Sequence, residues 1–295
     1  MKRLYAIISI FSIVGYLLGL FVSSDVLSVL GLLLVVTVGL LHGSNDIYLL
    51  RRLNTAYGVI AYSLIYAVVV LSFGIAFYFF PVISLLLFVL VSGYHFGEQH
   101  WYRLLGNLQI KWVKQVFYIT YGLLVLSILF LGNTVEVIQI INDLTGYSLP
   151  TIFFEQFFYA MVMVTLAGSI YLLFKKVFRI GMVALNVLLS LLLYIVFQSG
   201  DLIWGFSFYF VLWHSIPSLF DQILFKHNQF KIAYLFSFFK ESFPYWLLSI
   251  ISLALFYYFF KDSRYALSIL FAFIASVTVP HVLIMTSMFT TKHKS

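Results

Sequence analysis

The stretch VSGYHFGEQHW, residues 91–101, carries two histidines and a glutamate at the end of a long apolar run. An ionisable side chain within the hydrocarbon of a membrane is costly unless it is paired, faces a cavity or binds a metal, so each one indicates a functional site. Three further apolar runs carry one histidine each. They are LLHGSNDIYLL around His42, VLWHSIPSLFDQ around His214 and VTVPHVLIMTS around His281.

The composition predicts an all-α, polytopic integral membrane protein. Hydrophobic residues make up 63% of the 295 positions and charged residues 9%, a balance that a water-soluble surface does not tolerate. The net charge of +7 comes from short basic clusters between apolar runs, which are typical of loops that orient a membrane protein. We therefore expect no nucleic-acid partner. Because the chain has no cysteine, a metal would be held by imidazole and carboxylate groups.

Ten apolar runs are long enough to cross a hydrocarbon core of roughly 30 Å, which takes about 20 helical residues. We expect them to form a single transmembrane helical domain, residues 1–295, embedded in the lipid bilayer. The predicted helices cover about residues 4–22, 26–50, 57–79, 81–101, 112–131, 150–174, 180–198, 202–225, 243–260 and 264–290.

The basic residues predict the orientation of these helices. With both termini in the cytoplasm, all but two of the 17 lysines and arginines fall on the cytoplasmic side, the exceptions being Lys261 and Arg264. This bias is the one that the positive-inside rule predicts. The longest loop on the other side, residues 132–150, carries Glu136 and Asp143 and no basic residue.

The four histidines are predicted to lie at a similar depth in four helices that run in the same direction. Counting to the first basic residue at each cytoplasmic end gives nine residues for His42, eight for His95, twelve for His214 and eleven for His281. At 1.5 Å per residue, these counts correspond to depths of roughly 12 to 18 Å. Each histidine alone is equally consistent with a buried polar group bonded to a neighbouring helix. The shared depth favours a common metal site.

Polar neighbours at helical spacing are predicted to orient the imidazoles by hydrogen bonds. They are Asp46 after His42, Glu98 after His95, and Ser218 and Asp221 after His214. Gly43, Gly93 and Gly97 allow close helix approach beside the histidines. We expect His100 to lie near the interface, as a supporting or surface residue. His227 and His293 are expected to be solvated histidines in basic segments.

Taken together, the four stretches resemble the motifs of the Brp/Blh family, the bacterial and archaeal membrane-bound β-carotene 15,15′-dioxygenases. The motifs are LHGSND at His42, YHFGEQHW at His95, WHSIPS at His214 and PHVLIMT at His281. The resemblance implies cleavage of β-carotene at its central double bond by O2, giving two molecules of all-trans retinal. It also implies a location in the inner (cytoplasmic) membrane and a functional link to a microbial rhodopsin. Ser218 stands where some members carry a further histidine.

The resemblance implies a four-histidine site for non-haem Fe(II), in which His42, His95, His214 and His281 are the metal ligands and catalytic residues. Asp46, Glu98, His100, Ser218 and Asp221 would surround these ligands. Aromatic residues that flank the histidines are candidates for the walls of an apolar substrate tunnel, although ordinary packing explains them equally well. They are Tyr94, Phe96, Trp101, Phe210 and Trp213.

Other classes of function stay open at the level of sequence. One is a non-catalytic membrane protein for retinal or rhodopsin biogenesis. Another is a histidine-based metal or proton transporter, which would favour discontinuous helices and an inverted repeat, and the sequence indicates neither. A bis-histidine haem protein would need only two of the four motifs.

Overall fold

The computed structural model describes residues 2–106, 108–263 and 265–292. These residues form fourteen α-helices and two π-helical segments, and they contain no strand. The α-helices are α1 Lys2–Phe21, α2 Ser24–Leu34, α3 Leu40–Gly43, α4 Asp46–Leu53, α5 Val59–Phe79, α6 Pro81–Leu105, α7 Lys111–Gly132, α8 Thr134–Thr145, α9 Thr151–Phe174, α10 Ile180–Phe197, α11 Leu202–Phe208, α12 Ile216–His227, α13 Ile232–Phe260 and α14 Ala266–Lys292. Arg264, His293 and Lys294, which entered the sequence predictions, lie outside the described residues.

Ten helical stretches of the described residues are long and apolar enough to cross a membrane. This confirms the predicted all-α, polytopic architecture, while the placement of the termini in the cytoplasm stays a prediction. The ninth span starts at Ile232, eleven residues before the predicted start. The residues before position 243, including Glu241, fell in a predicted loop, but Glu241 forms an ion pair with Lys226. The pairing lowers the cost of extending the helix through these charges.

The predicted outer loop contains a helix. α8 covers twelve residues of that loop, which is too short to cross a membrane. One side of this helix is buried at Val137 and Ile140, while Val135 and Gln139 are exposed. A search for runs of membrane-spanning length does not detect a helix of this kind.

Two of the spans are irregular helices. The second span passes from α2 through a π-helical segment, Val35–Gly39, into α3, and a turn at Ser44 and Asn45 separates α3 from α4. The eighth span passes from α11 through a π-helical segment, Tyr209–Ser215, into α12. π-helical turns are rare and occur frequently at functional sites. Each of these irregular spans carries one of the four motif histidines.

The packing divides the chain into two compact units. Unit 1 comprises Met1–Val35, Gly93–Gln139 and Leu149–Pro217. Within it α6 and α7 are in close backbone contact, because a Cβ on Gly97 would overlap the carbonyl of Tyr118 and one on Gly122 would overlap the carbonyl of Gly93. The structure thus gives Gly93 and Gly97 the close approach that their spacing predicts.

Unit 2 comprises Val36–Ser92, Ile140–Ser148 and Ser218–Ser295. In this unit α14 packs on α4 and α5, and α13 packs on α3. Phe77, Phe88 and Ala275 form one buried apolar cluster. Leu219, Ile223 and Phe238 form another. The packing of α14 on α4 and α5 brings His281 next to Asp46 of α4.

Candidate metal centre

Unit 1 contains a buried pair of imidazoles, His95 on α6 and His214 in the π-helical segment Tyr209–Ser215. Their ring centres lie 4.9 Å apart and their planes are inclined by 75°. Each residue is only 1% exposed. Phe96 and Phe210 pack against the ring of His214, with centre separations of 5.0 and 5.3 Å. The pair therefore lies in a dry, largely aromatic environment.

Unit 2 contains a second pair with nearly the same geometry, His42 on α3 and His281 on α14. Their ring centres lie 4.8 Å apart and the planes are inclined by 87°. Both residues are buried. Gly43 lies beside this pair, since a Cβ there would come within 3.8 Å of Nδ1 of His281. The structure thus brings the four sequence-predicted ligands together as two pairs, one in each unit.

Hydrogen bonds fix the tautomers of the unit 2 pair. Nδ1 of His42 donates to the carbonyl of Gly39. Nδ1 of His281 donates to the carboxylate of Asp46, at 2.9 and 3.0 Å from its two oxygens. A neutral imidazole that donates through Nδ1 carries its lone pair on Nε2. Both rings are therefore held in the form that binds a metal through Nε2.

The partner of Asp46 differs from the predicted one. Spacing along a regular helix placed Asp46 on the same face as His42, but the turn at Ser44 and Asn45 interrupts that helix. The carboxylate instead accepts from His281 on α14, and it also accepts from the hydroxyl of Tyr66 on α5 at 3.0 Å. The sequence predicted no role for Tyr66, because a single tyrosine in an apolar span resembles ordinary packing.

Both pairs fit the way in which imidazoles share a metal ion. Imidazole nitrogens bind first-row metals at about 2.1 Å, so two rings in adjacent positions on one ion have centres roughly 5 Å apart. The observed separations of 4.8 and 4.9 Å match this value. The chain contains no cysteine, and four neutral imidazoles suit iron, copper, nickel or zinc better than magnesium or calcium.

Substitution of Asp46 tests the tautomer argument. We expect Asp46→Asn to weaken metal binding by roughly 10–100-fold, as is usual when the hydrogen-bond partner of a ligating histidine is changed. Tyr66→Phe should have a smaller effect in the same direction, because it removes one bond to Asp46. Iron titration of the purified protein measures both. Asp25→Asn, at an exposed position of α2, is the control, and wild-type affinity of Asp46→Asn would contradict the argument.

The other polar residues predicted around the ligands are buried or half-buried. Glu98 accepts a hydrogen bond from the hydroxyl of Tyr94 at 3.0 Å. Ser218 and Asp221 are buried, and Ser218 accepts from Nε2 of Gln222 at 3.4 Å. Proximity of these residues to a bound metal stays a prediction.

His100 lies inside an aromatic cluster of unit 1. Its Nδ1 is 3.2 Å from the hydroxyl of Tyr121. The centre of its ring lies 6.2 Å from the ring centre of Tyr209 and 6.2 Å from that of Trp213. The residue is half-buried, and this surrounding fits a supporting role better than a solvated one.

The aromatic residues predicted to line a tunnel have different surroundings. Phe96 and Phe210 contact the ring of His214. Trp101 instead stacks on Phe178 at 4.8 Å, and Nε1 of Trp213 donates to Ser12 at 3.0 Å. The first two are thus the better candidates for contact with a substrate at the metal, and the tunnel itself stays a prediction.

Side chains also donate hydrogen bonds to backbone carbonyls of the two π-helical segments. Nε1 of Trp246 donates to the carbonyls of Val36 and Thr37, at 3.0 and 3.1 Å. The hydroxyl of Ser215 donates to the carbonyl of Phe210 at 2.7 Å. In a π-helical turn, some carbonyls lack the backbone N–H partner that a regular α-helix would provide. The side-chain hydrogen bonds satisfy these carbonyls and stabilise the turn.

One comparison with known proteins matches. The family model described as Beta-carotene 15,15′-dioxygenase matches residues 33–289. No curated protein and no solved structure matches the chain. The matched range includes all four histidines and every polar and aromatic residue described around them.

Proposed function

The chain belongs to the β-carotene 15,15′-dioxygenase family, and we propose that it cleaves the central 15,15′ double bond of β-carotene with O2 to give two molecules of all-trans retinal. The observation that supports this most directly is the presence of two buried imidazole pairs, each with the spacing of adjacent metal ligands. Under this proposal His42, His95, His214 and His281 together hold one Fe(II).

Non-haem Fe(II) held by these four imidazoles would supply the activation of O2. The chain's own contribution is to orient the imidazoles. Asp46 and the carbonyl of Gly39 do this for His281 and His42. The reaction breaks one C=C bond and adds one oxygen atom to each carbon. No proton is gained or lost, so neither Glu98 nor Asp221 needs to act as an acid or base.

The substrate explains why such a site lies in a membrane protein. A carotenoid is about as long as the hydrocarbon core, roughly 30 Å, and dissolves only there. Phe96 and Phe210 place apolar rings beside His214. We propose that they orient the polyene and exclude water from the reacting bond. Retinal released into the bilayer would be accessible to a microbial rhodopsin, which is the proposed functional partner.

Expression in cells that accumulate β-carotene tests the activity. We expect the cells to lose their orange colour and their extracts to contain all-trans retinal, because O2 and iron are both present. The His95→Ala variant, at equal membrane content, is the matched control and should keep the colour. Retained β-carotene in iron-replete cells that contain the wild-type protein would refute the proposal and favour a non-catalytic role in retinal or rhodopsin biogenesis.

One observation favours the transporter alternative. The turn at Ser44 and Asn45 interrupts the second span, and discontinuous helices are typical of transporters. Uptake of iron into proteoliposomes, compared with protein-free vesicles, separates the two functions. An enzyme moves no iron across the bilayer, whereas a transporter would fill the vesicles.

A further inference from the structure

Two buried glutamines each hold the backbone of a histidine. Nε2 of Gln99 donates to the carbonyl of His214 at 2.8 Å, within unit 1. Nε2 of Gln222 donates to the carbonyl of His42, also at 2.8 Å, within unit 2. Both glutamines are 2% exposed. Each imidazole pair thus has one member whose main chain is bonded to a glutamine side chain.

The amide oxygens of the two glutamines support the importance of the bonds that the amide nitrogens make. A carbonyl only accepts, so the amide nitrogen must face it and the amide oxygen must face away. Among the described residues, neither Oε1 of Gln99 nor Oε1 of Gln222 has a hydrogen-bond donor, and both are buried. Burying an acceptor without a donor is unfavourable, and an apolar side chain of the same shape would avoid it. The bond from Nε2 is therefore the feature that favours glutamine at both positions.

The backbone that the glutamines hold is irregular. His214 lies inside the π-helical segment Tyr209–Ser215, and His42 follows the π-helical segment Val35–Gly39 by three residues. A regular ladder of hydrogen bonds defines the position of each Cα in an α-helix, but a π-helical turn disrupts that ladder. A bond from a neighbouring segment to the histidine carbonyl supplies the missing constraint.

Gln99 also connects the two members of the unit 1 pair. It follows His95 by four residues on α6, and residues at this spacing lie on one face of a helix. The same face of α6 thus carries one imidazole and the amide that holds the main chain of the other. In unit 2, Gln222 on α12 holds His42 and is also within 3.4 Å of the hydroxyl of Ser218.

We propose that Gln99 and Gln222 are positioning residues, which fix the main chain at His214 and His42 so that the imidazoles keep the orientation needed for metal binding. This inference rests on the proposed iron site. It assigns the glutamines no contact with substrate or metal. Their effect passes through the helix that carries each histidine.

The test compares Gln99→Glu and Gln222→Glu with Gln99→Met and Gln222→Met. Glutamate keeps the size but replaces the donor by oxygen, and methionine keeps the length without a donor. In detergent-purified protein we expect each variant to bind Fe(II) roughly 10–100-fold more weakly than wild type, as for other residues that orient a ligand. The electron paramagnetic resonance spectrum of the nitric oxide complex should also change. Gln139→Met, at an exposed position of α8, is the matched control.

The outcomes separate this inference from the proposed function. Wild-type protein that binds no iron would refute the metal site itself. Wild-type protein that binds iron, together with folded glutamine variants of unchanged affinity and spectrum, would overturn only the positioning role. If the glutamate variants do not accumulate in the membrane, the iron affinity and the spectrum of the methionine variants decide whether the glutamines position the histidines. Failure of these to fold would also overturn the inference, because the glutamines would then serve the fold as a whole.

Discussion

Alanine at His42, His95, His214 or His281 is expected to abolish iron retention and β-carotene cleavage in each single variant. Under the four-ligand proposal each imidazole supplies one bond to the metal, and alanine supplies none. Metal analysis of the purified variants and retinal measurement in carotene-producing cells give the two readouts. Wild-type protein should contain one iron per chain.

His227→Ala provides the matched control for these variants. His227 ends α12 and its ring stacks on Tyr234 at 4.0 Å. It belongs to none of the four histidine motifs, so the variant should keep its iron and activity. His100→Ala and Glu98→Ala should lose part of each. Full iron and full activity in any of the four ligand variants would exclude a shared site. Two irons per chain would instead indicate that each imidazole pair binds its own ion.

Gly97→Ala is expected to prevent the protein from reaching its folded state in useful amounts. The new Cβ would overlap the carbonyl of Tyr118, which is main chain and cannot rotate away. Overpacking typically costs 1–3 kcal/mol, and a clash between two helix backbones should cost at least about 3 kcal/mol. Because His95 lies two residues before Gly97 on α6, any shift of the helix also displaces a proposed ligand. Thermal unfolding in detergent and the yield in membranes measure the effect.

Gly181→Ala is the control for this substitution. Apart from the local backbone of its own helix, no atom of the described residues lies within 4 Å of a Cβ at Gly181, although this glycine is also helical. We expect wild-type yield and stability there, or a small gain, since alanine favours the helix. Equal stability of Gly97→Ala and Gly181→Ala would contradict the close crossing of α6 and α7.

Much of the fold could be predicted because the membrane imposes it. A span needs a long apolar run, and charged or turn-forming residues separate most of the ten runs. The additional helix α8 could not be found in this way, since it is too short to span. The start of α13 was also wrong, because the ion pair of Glu241 with Lys226 depends on tertiary structure.

The candidate site was only partly predictable for a similar reason. Histidines in apolar runs stand out, because a buried imidazole needs an explanation. Asp46 was found but assigned to His42, since spacing arguments assume a regular helix and the turn at Ser44 and Asn45 breaks this one. No sequence pattern identified Gln99 or Gln222 as part of the site. Their role lies in bonds to the backbone of distant residues, which no spacing in the sequence reveals.

The two π-helical segments affect how related chains should be compared. A π-helical turn contains one residue more than the α-helical turn that it replaces, and each residue of an α-helix rotates the chain by about 100°. Deleting one residue within Val35–Gly39 or Tyr209–Ser215 would give a smoother helix but rotate one flank relative to the other. For any family member that lacks the extra residue, the single-residue gap belongs inside the membrane helix, because placing the gap in a loop would shift the histidine out of register.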